Sequence, residues 1–105
     1  MRTALTTDEW RSDDTDALFD AILTLSDRDD AERFFRDLCT LRELEEITAR
    51  WAVVRLLVRG IPYRQIHDET GVSTATITRI NQWLQHGTGG YTRALEKLGL
   101  SEETP

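Results

Sequence analysis

At 105 residues the chain has room for one domain, and 39% apolar residues supply a core, though a thin one if it is shared among several short helices. The single cysteine, Cys39, excludes an internal disulfide or a cysteine-built zinc cage and is expected as a buried structural thiol. The net charge of −6 argues against indiscriminate nucleic-acid binding.

That charge is uneven. Residues 1–46 carry 14 acidic and 6 basic side chains, and residues 47–105 carry 5 and 7. No apolar run approaches the roughly 18 residues that span a membrane, and the first residues lack an apolar signal core, so a cytoplasmic protein is expected.

Residues 1–12 show no period and read as a flexible arm with Trp10 as its large apolar group. A helix is predicted from Asp13, where Asp13, Asp14 and Asp16 suit the positive end of its dipole. Leu18, Ile22 and Leu25 form one stripe on it, Phe19 and Leu23 a second. Ser26 is expected to cap the next helix, with Ala31, Phe34, Phe35 and Leu38 inward.

Thr40-Leu41-Arg42-Glu43 has the form of a capping box and opens the longest helix, to about Arg59. Leu44, Ile47, Trp51, Val54 and Val58 make a three-four stripe, widened by Val53, Leu56 and Leu57. A helix apolar over that much of its circumference is buried on more than one side, as a central core helix or as a dimer seam. Gly60 ends it.

The stretch from Ile61 to Gln85 is the most informative. Pro62 can start a short helix that carries Ile66 inward and ends at Thr70. Gly71 suits a tight turn, Val72 plugs the corner and Ser73 is an N-cap. The following helix puts Ile77, Ile80 and Leu84 on one buried face. Its other face offers Thr74, Thr78, Arg79, Asn81, Gln82 and Gln85, with Arg79 the only charge between Ser73 and Gln85. A helix that is merely solvated is usually rich in Glu and Lys. This set instead donates to and accepts from base edges and phosphates. The motif reads as a helix-turn-helix whose second helix enters a major groove. The predicted DNA-contacting residues are Arg64, Ser73, Thr74, Ala75, Thr76, Thr78, Arg79, Asn81 and Gln82, with Arg64 and Thr76 near the backbone.

His86 to Gly90 reads as a hinge, and a last short helix turns Tyr91, Leu95 and Leu98 inward before Gly99 stops it. No strand signal occurs, so the fold is expected to be all-α. In order, the chain divides into a flexible N-terminal arm (1–12), a helical dimerisation core (13–59), the helix-turn-helix (60–85), a hinge with the C-terminal helix (86–99) and a frayed tail (100–105).

This order of parts resembles the tryptophan repressor superfamily. The resemblance is carried by Ala75-Thr76-Ile77-Thr78-Arg79 in the recognition helix, the capping box before a long helix, Arg59-Gly60, and Glu69-Thr70-Gly71. Gly89-Gly90-Tyr91 followed by Ala94 to Leu98 is similar to the YerC/YecD-type group within it. The resemblance covers about Asp16 to Leu98. It implies an intertwined all-helical homodimer with two reading heads, double-stranded DNA with a palindromic operator as partner, and transcriptional regulation, most simply repression. It also implies an amino-acid co-repressor clamped by two arginines. Arg79 matches one. The other falls on Arg50 with one residue inserted near Val58, and on Ala49 without the insertion. Two small pocket residues of the family, a Gly and a Ser, become Ile80 and Trp83 here. The pocket edged by Arg50, Arg79, Ile80 and Trp83 is therefore expected to exclude tryptophan in favour of another amino acid, histidine being one candidate, or to be closed.

An enzyme is not expected. His67 and His86 lie far apart in the sequence, His67 reads as solvated or phosphate-facing, and no Ser-His-Asp order or metal spacing occurs. Asp27, Asp29 and Asp30 lack the loop glycine and closing glutamate of a calcium site and read as dipole partners. No metal and no cofactor beyond the amino acid is expected. The competing expectation, supported by the acidity, is a helical protein-interaction module with a repurposed helix-turn-helix. An effector-independent DNA-binding protein is a third.

Overall fold

The structure is a computed structural model that describes residues 9–100. Among these it contains six helices and no strand: α1 (Asp13–Ile22), α2 (Arg28–Leu38), α3 (Leu41–Val58), α4 (Tyr63–Thr70), α5 (Thr74–His86) and α6 (Gly90–Lys97). The all-α expectation holds. Most of the arm, and all of the tail beyond Leu100, lie outside the described residues. Two compact units are present, residues 1–45 and 46–105, and the boundary between them falls inside α3.

The first unit is built from helix starts. Ser12 and Thr15 form a reciprocal capping box at α1: the Ser12 hydroxyl accepts from the Thr15 N–H at 3.2 Å and the Thr15 hydroxyl accepts from the Ser12 N–H at 2.7 Å. Trp10 is not detached from this helix, since its ring meets Phe19 edge-on at 6.1 Å. The cap of α2 is Asp27, not Ser26. Asp27 accepts from the Asp30 N–H at 2.8 Å, while the Asp30 carboxylate turns back to accept from the Ser26 hydroxyl at 2.9 Å. Both residues suit the position, and the carboxylate holds the favoured place because it also meets the helix dipole. At α3 the Thr40–Glu43 box forms as expected, with bonds of 2.8 and 3.1 Å.

What this unit lacks is a sealed core. No residue of α1 or α2 is fully buried. Leu23 is 82% exposed, Leu38 53% and Leu41 60%. Ala31, Phe35 and Leu44 line an open hollow of about 480 Å³ with the stems of Glu32 and Arg36.

The second unit has the core. Val53 and Val54 of α3, Ile66 of α4, Ile77 and Ile80 of α5, and Leu95 of α6 are buried together. Each such side chain is worth about 1.5–3 kcal/mol relative to exposure. The three-four spacing of Ile77, Ile80 and Leu84 puts one face of α5 on this core and leaves the other outside. Trp51 joins from α3 with its ring 6.2 Å from that of Tyr91. Leu98, expected inward, is 61% exposed, because α6 ends at Lys97 and Leu95 already fills the position against the core.

Candidate nucleic-acid interface

The turn between α4 and α5 is fixed by side chains as well as by backbone. Gly71 takes φ 74° and its N–H closes α4 onto the His67 carbonyl at 2.8 Å. A left-handed residue there is cheap only for glycine. Val72 is then held at both ends. Its N–H donates to the Thr70 hydroxyl at 3.1 Å, and its carbonyl accepts from His67 Nδ1 at 2.8 Å. The Thr70 hydroxyl in turn donates to the Ile66 carbonyl at 2.7 Å. Ser73 caps α5 by accepting from the Thr76 N–H at 3.1 Å and donates to the Thr76 hydroxyl at 3.0 Å. A turn with this many fixed groups sets the angle at which α5 leaves α4.

The outer face of α5 is accordingly well defined. Ala75, Arg79, Gln82 and His86, spaced four, three and four apart, lie opposite the Ile77–Ile80–Leu84 face, and all four are exposed. Thr74 and Thr78 flank them, and the Thr78 hydroxyl donates to the Thr74 carbonyl at 3.0 Å, which leaves its lone pairs free as acceptors. Asn81 lies nearer the core. It is half-buried, and its Oδ1 accepts from Gln85 Nε2 at 3.4 Å. Arg64 is exposed on α4. Thus Thr74, Ala75, Thr78, Arg79 and Gln82 share one exposed surface, whereas Ser73 and Thr76 serve the cap.

The electrostatics favour an anionic partner at this face. α5 carries Arg79 and no carboxylate. Of the α4 acids, Glu69 accepts from Gln65 Nε2 at 2.8 Å along the same helix. Among the described residues the ion pair found is Asp29–Arg33, remote in sequence from the motif, so Arg64 and Arg79 are unpaired.

The effector-site candidates differ in exposure. Ile80 is fully buried, so it supports the surface from beneath. Trp83 is 38% exposed and lies over Gly87, where a Cβ would run into the Trp83 carbonyl oxygen and sit 2.8 Å from ring atom Cε3. A hollow of about 300 Å³ beside this pair is lined by Trp83, Thr88, Gly90 and Tyr91. Arg50, Arg79 and Ile80 do not line it, and Arg50 is exposed without the Glu46 ion pair that its spacing allowed. Among the described residues, no group of three or more His, Cys, Asp or Glu could hold a metal ion, and no helix is long and apolar enough to cross a membrane.

Sequence reasoning missed one residue of this surface and one bond beside it. His86 extends the outer stripe of α5, which spacing alone could have indicated. The His67–Val72 bond spans five residues across a turn and has no sequence signature.

Comparison with known proteins gives a consistent result. The profile of the Trp repressor protein family matches residues 13–99. A Bacillus subtilis protein without an assigned role, YerC, is 41% identical over 95 residues, covering 90% of this chain and 91% of the relative. A Trp operon repressor homolog of Chlamydia trachomatis serovar L2 is 32% identical over 82 residues, covering 73% and 87%. Among solved structures, a TrpR-like protein from Eubacterium eligens superposes with a TM-score of 0.84 at 39% identity, over 92% of this chain and 100% of its own. A Staphylococcus aureus protein assigned as a Trp repressor gives 0.85 at 36% identity, over 97% and 100%.

Proposed function

Because the chain belongs to the Trp repressor family, we propose that it is a sequence-specific DNA-binding transcriptional regulator that acts as a homodimer. The observation that carries this reading is the outer face of α5. It is a carboxylate-free surface of Thr74, Ala75, Thr78, Arg79 and Gln82, set at a fixed angle by a turn whose backbone groups are tied to side chains. Thr and Gln reach base edges, Arg79 reaches a guanine edge or a phosphate, and Arg64 on α4 reaches the backbone. Two such heads, related by a two-fold axis, would read half-sites about one DNA turn apart, as helix-turn-helix dimers do, the Trp repressor among them. The role is regulatory, not catalytic, and its place is the compartment that holds the chromosome.

The exposed apolar surface of the first unit supports the dimer. The side chains that the single chain leaves open are those that a partner's helices would cover. Repression is the finer reading. An amino acid other than tryptophan, histidine among the candidates, is its proposed co-repressor, bound through Arg79 and Arg50, with Ile80 and Trp83 taking the space an indole needs. Calorimetry with each amino acid tests this. Tight tryptophan binding would overturn the steric argument, and binding by none would leave a constitutive DNA-binding protein.

Two substitutions separate readout from positioning. Arg64→Ala should weaken binding to all sequences alike and lower the salt slope by about one. Asn81→Ala should relax preference at one position by about 1–3 kcal/mol. Quantitative mobility shifts against a small panel of variant sites measure both. An Asn81→Ala protein with unchanged affinity and preference would remove Asn81 from the reading surface.

A further inference from the structure

The His67–Val72 bond has a chemical consequence. A carbonyl oxygen only accepts, so the 2.8 Å contact requires the proton to be on Nδ1. The second nitrogen of the neutral ring, Nε2, is then a bare acceptor. His67 is exposed, and Nε2 has no hydrogen-bond partner among the described residues. The ring is also held in place, tethered to the residue just before the Ser73 cap, and so beside the positive N-terminal end of α5. Three residues earlier on α4, Arg64 shares its face. A neutral ring in this tautomer offers a phosphate oxygen only a lone pair. A protonated ring offers a cation and an N–H in one fixed direction.

We propose that His67 is a proton-gated phosphate contact of the reading head, in which the Val72 carbonyl holds Nδ1–H and protonation of Nε2 creates the donor that meets the DNA backbone. The proposal rests on the DNA-binding reading above. Binding then takes up a proton at His67, and affinity rises as the pH falls through the range in which imidazoles change charge, about pH 5–8. The charged and titratable groups around it are few. α4 carries Tyr63, Arg64, Asp68 and Glu69, the last engaged by Gln65. α5, which packs on α4, carries Arg79 and His86, and α3 contributes Arg55 and Arg59 near its end. None forms an ion pair with His67. A phosphate placed between Arg64, the N-terminal end of α5 and the ring favours the protonated form, which couples protonation to binding.

The test has two parts on the full chain. Imidazole ¹⁵N shifts, recorded without DNA near neutral pH, should show His67 as the Nδ1–H tautomer, and the Nε2–H tautomer would overturn the proposal. Affinity for a selected DNA fragment is then measured against salt at about pH 6 and about pH 8. The wild type should bind at least severalfold more tightly at the lower pH, with a salt slope steeper by about one. His86→Gln, which changes the only other histidine, should keep this difference. His67→Gln should lose it, and His67→Lys should show the steep slope at both values. A pH difference that survives in His67→Gln would overturn this proposal alone. A chain that binds no DNA at either pH would overturn the DNA reading together with it.

Discussion

Ile47→Asp should convert the protein from a stable dimer into a monomeric or unfolded chain. Ile47 is 50% exposed in the single chain, on α3. If the chain worked alone, an aspartate at such a site would be nearly neutral, within about 0.5 kcal/mol. In a dimer whose seam covers this side of α3, the carboxylate enters an apolar interface without a partner, and leaving a buried charge unpaired costs about 3–5 kcal/mol. The first unit, with no fully buried residue in α1 or α2, has little of its own to offset that loss. Sedimentation velocity and thermal unfolding across a concentration series measure it. The wild type should sediment as a dimer, with a midpoint that rises with concentration. A wild type that is well folded and monomeric at micromolar concentration, with Ile47→Asp indistinguishable from it, would overturn the dimer.

The second large effect is in the core under the reading helix. Ile77→Ala should destabilise the second unit by about 2–5 kcal/mol, since it removes fully buried methyl and methylene groups and leaves a cavity between α5 and its neighbours. Ile77→Val should cost only about 0.5–1.5 kcal/mol. The alanine variant should also lose DNA affinity out of proportion to its surface change, because Ile77 points away from the outer face and contributes only by seating α5. Denaturant unfolding and a mobility shift, run on both variants, read the two effects. An alanine variant with wild-type stability would mean that α5 is not packed as described.

Several parts of this architecture were legible in the sequence because their signals are local. Thr40 with Glu43, Ser73 before Ile77, and Gly71 between two apolar periods are short patterns in which the residue type fixes the backbone role, and the caps and turn form there. The Ser12–Thr15 box went unread because threonine takes the place where glutamate or glutamine is the usual signal. Ser26 and Asp27 are both good caps, and the carboxylate takes the position because it also meets the helix dipole, while Ser26 donates to Asp30.

Other features depend on what lies across a turn or on what fills the core first. Leu98 belongs to the same apolar pattern as Leu95, but the helix ends before it can turn inward. Gly87 reads as one of several link glycines, yet its constraint is the Trp83 carbonyl oxygen and ring beside it rather than a left-handed backbone. For the candidate site, the exposed face of α5 followed from spacing. The His67–Val72 bond did not, because it depends on the path the chain takes through Gly71.

The most direct test of the central claim is selection of DNA from a random pool by the purified full-length protein at a stated salt concentration. The account predicts enrichment of a two-fold symmetric sequence with half-sites about one helical turn apart, bound in a salt-dependent manner and lost in Arg79→Ala. A pool that stays random, while the dimer is folded and intact, would contradict it and leave the α5 face to a protein partner.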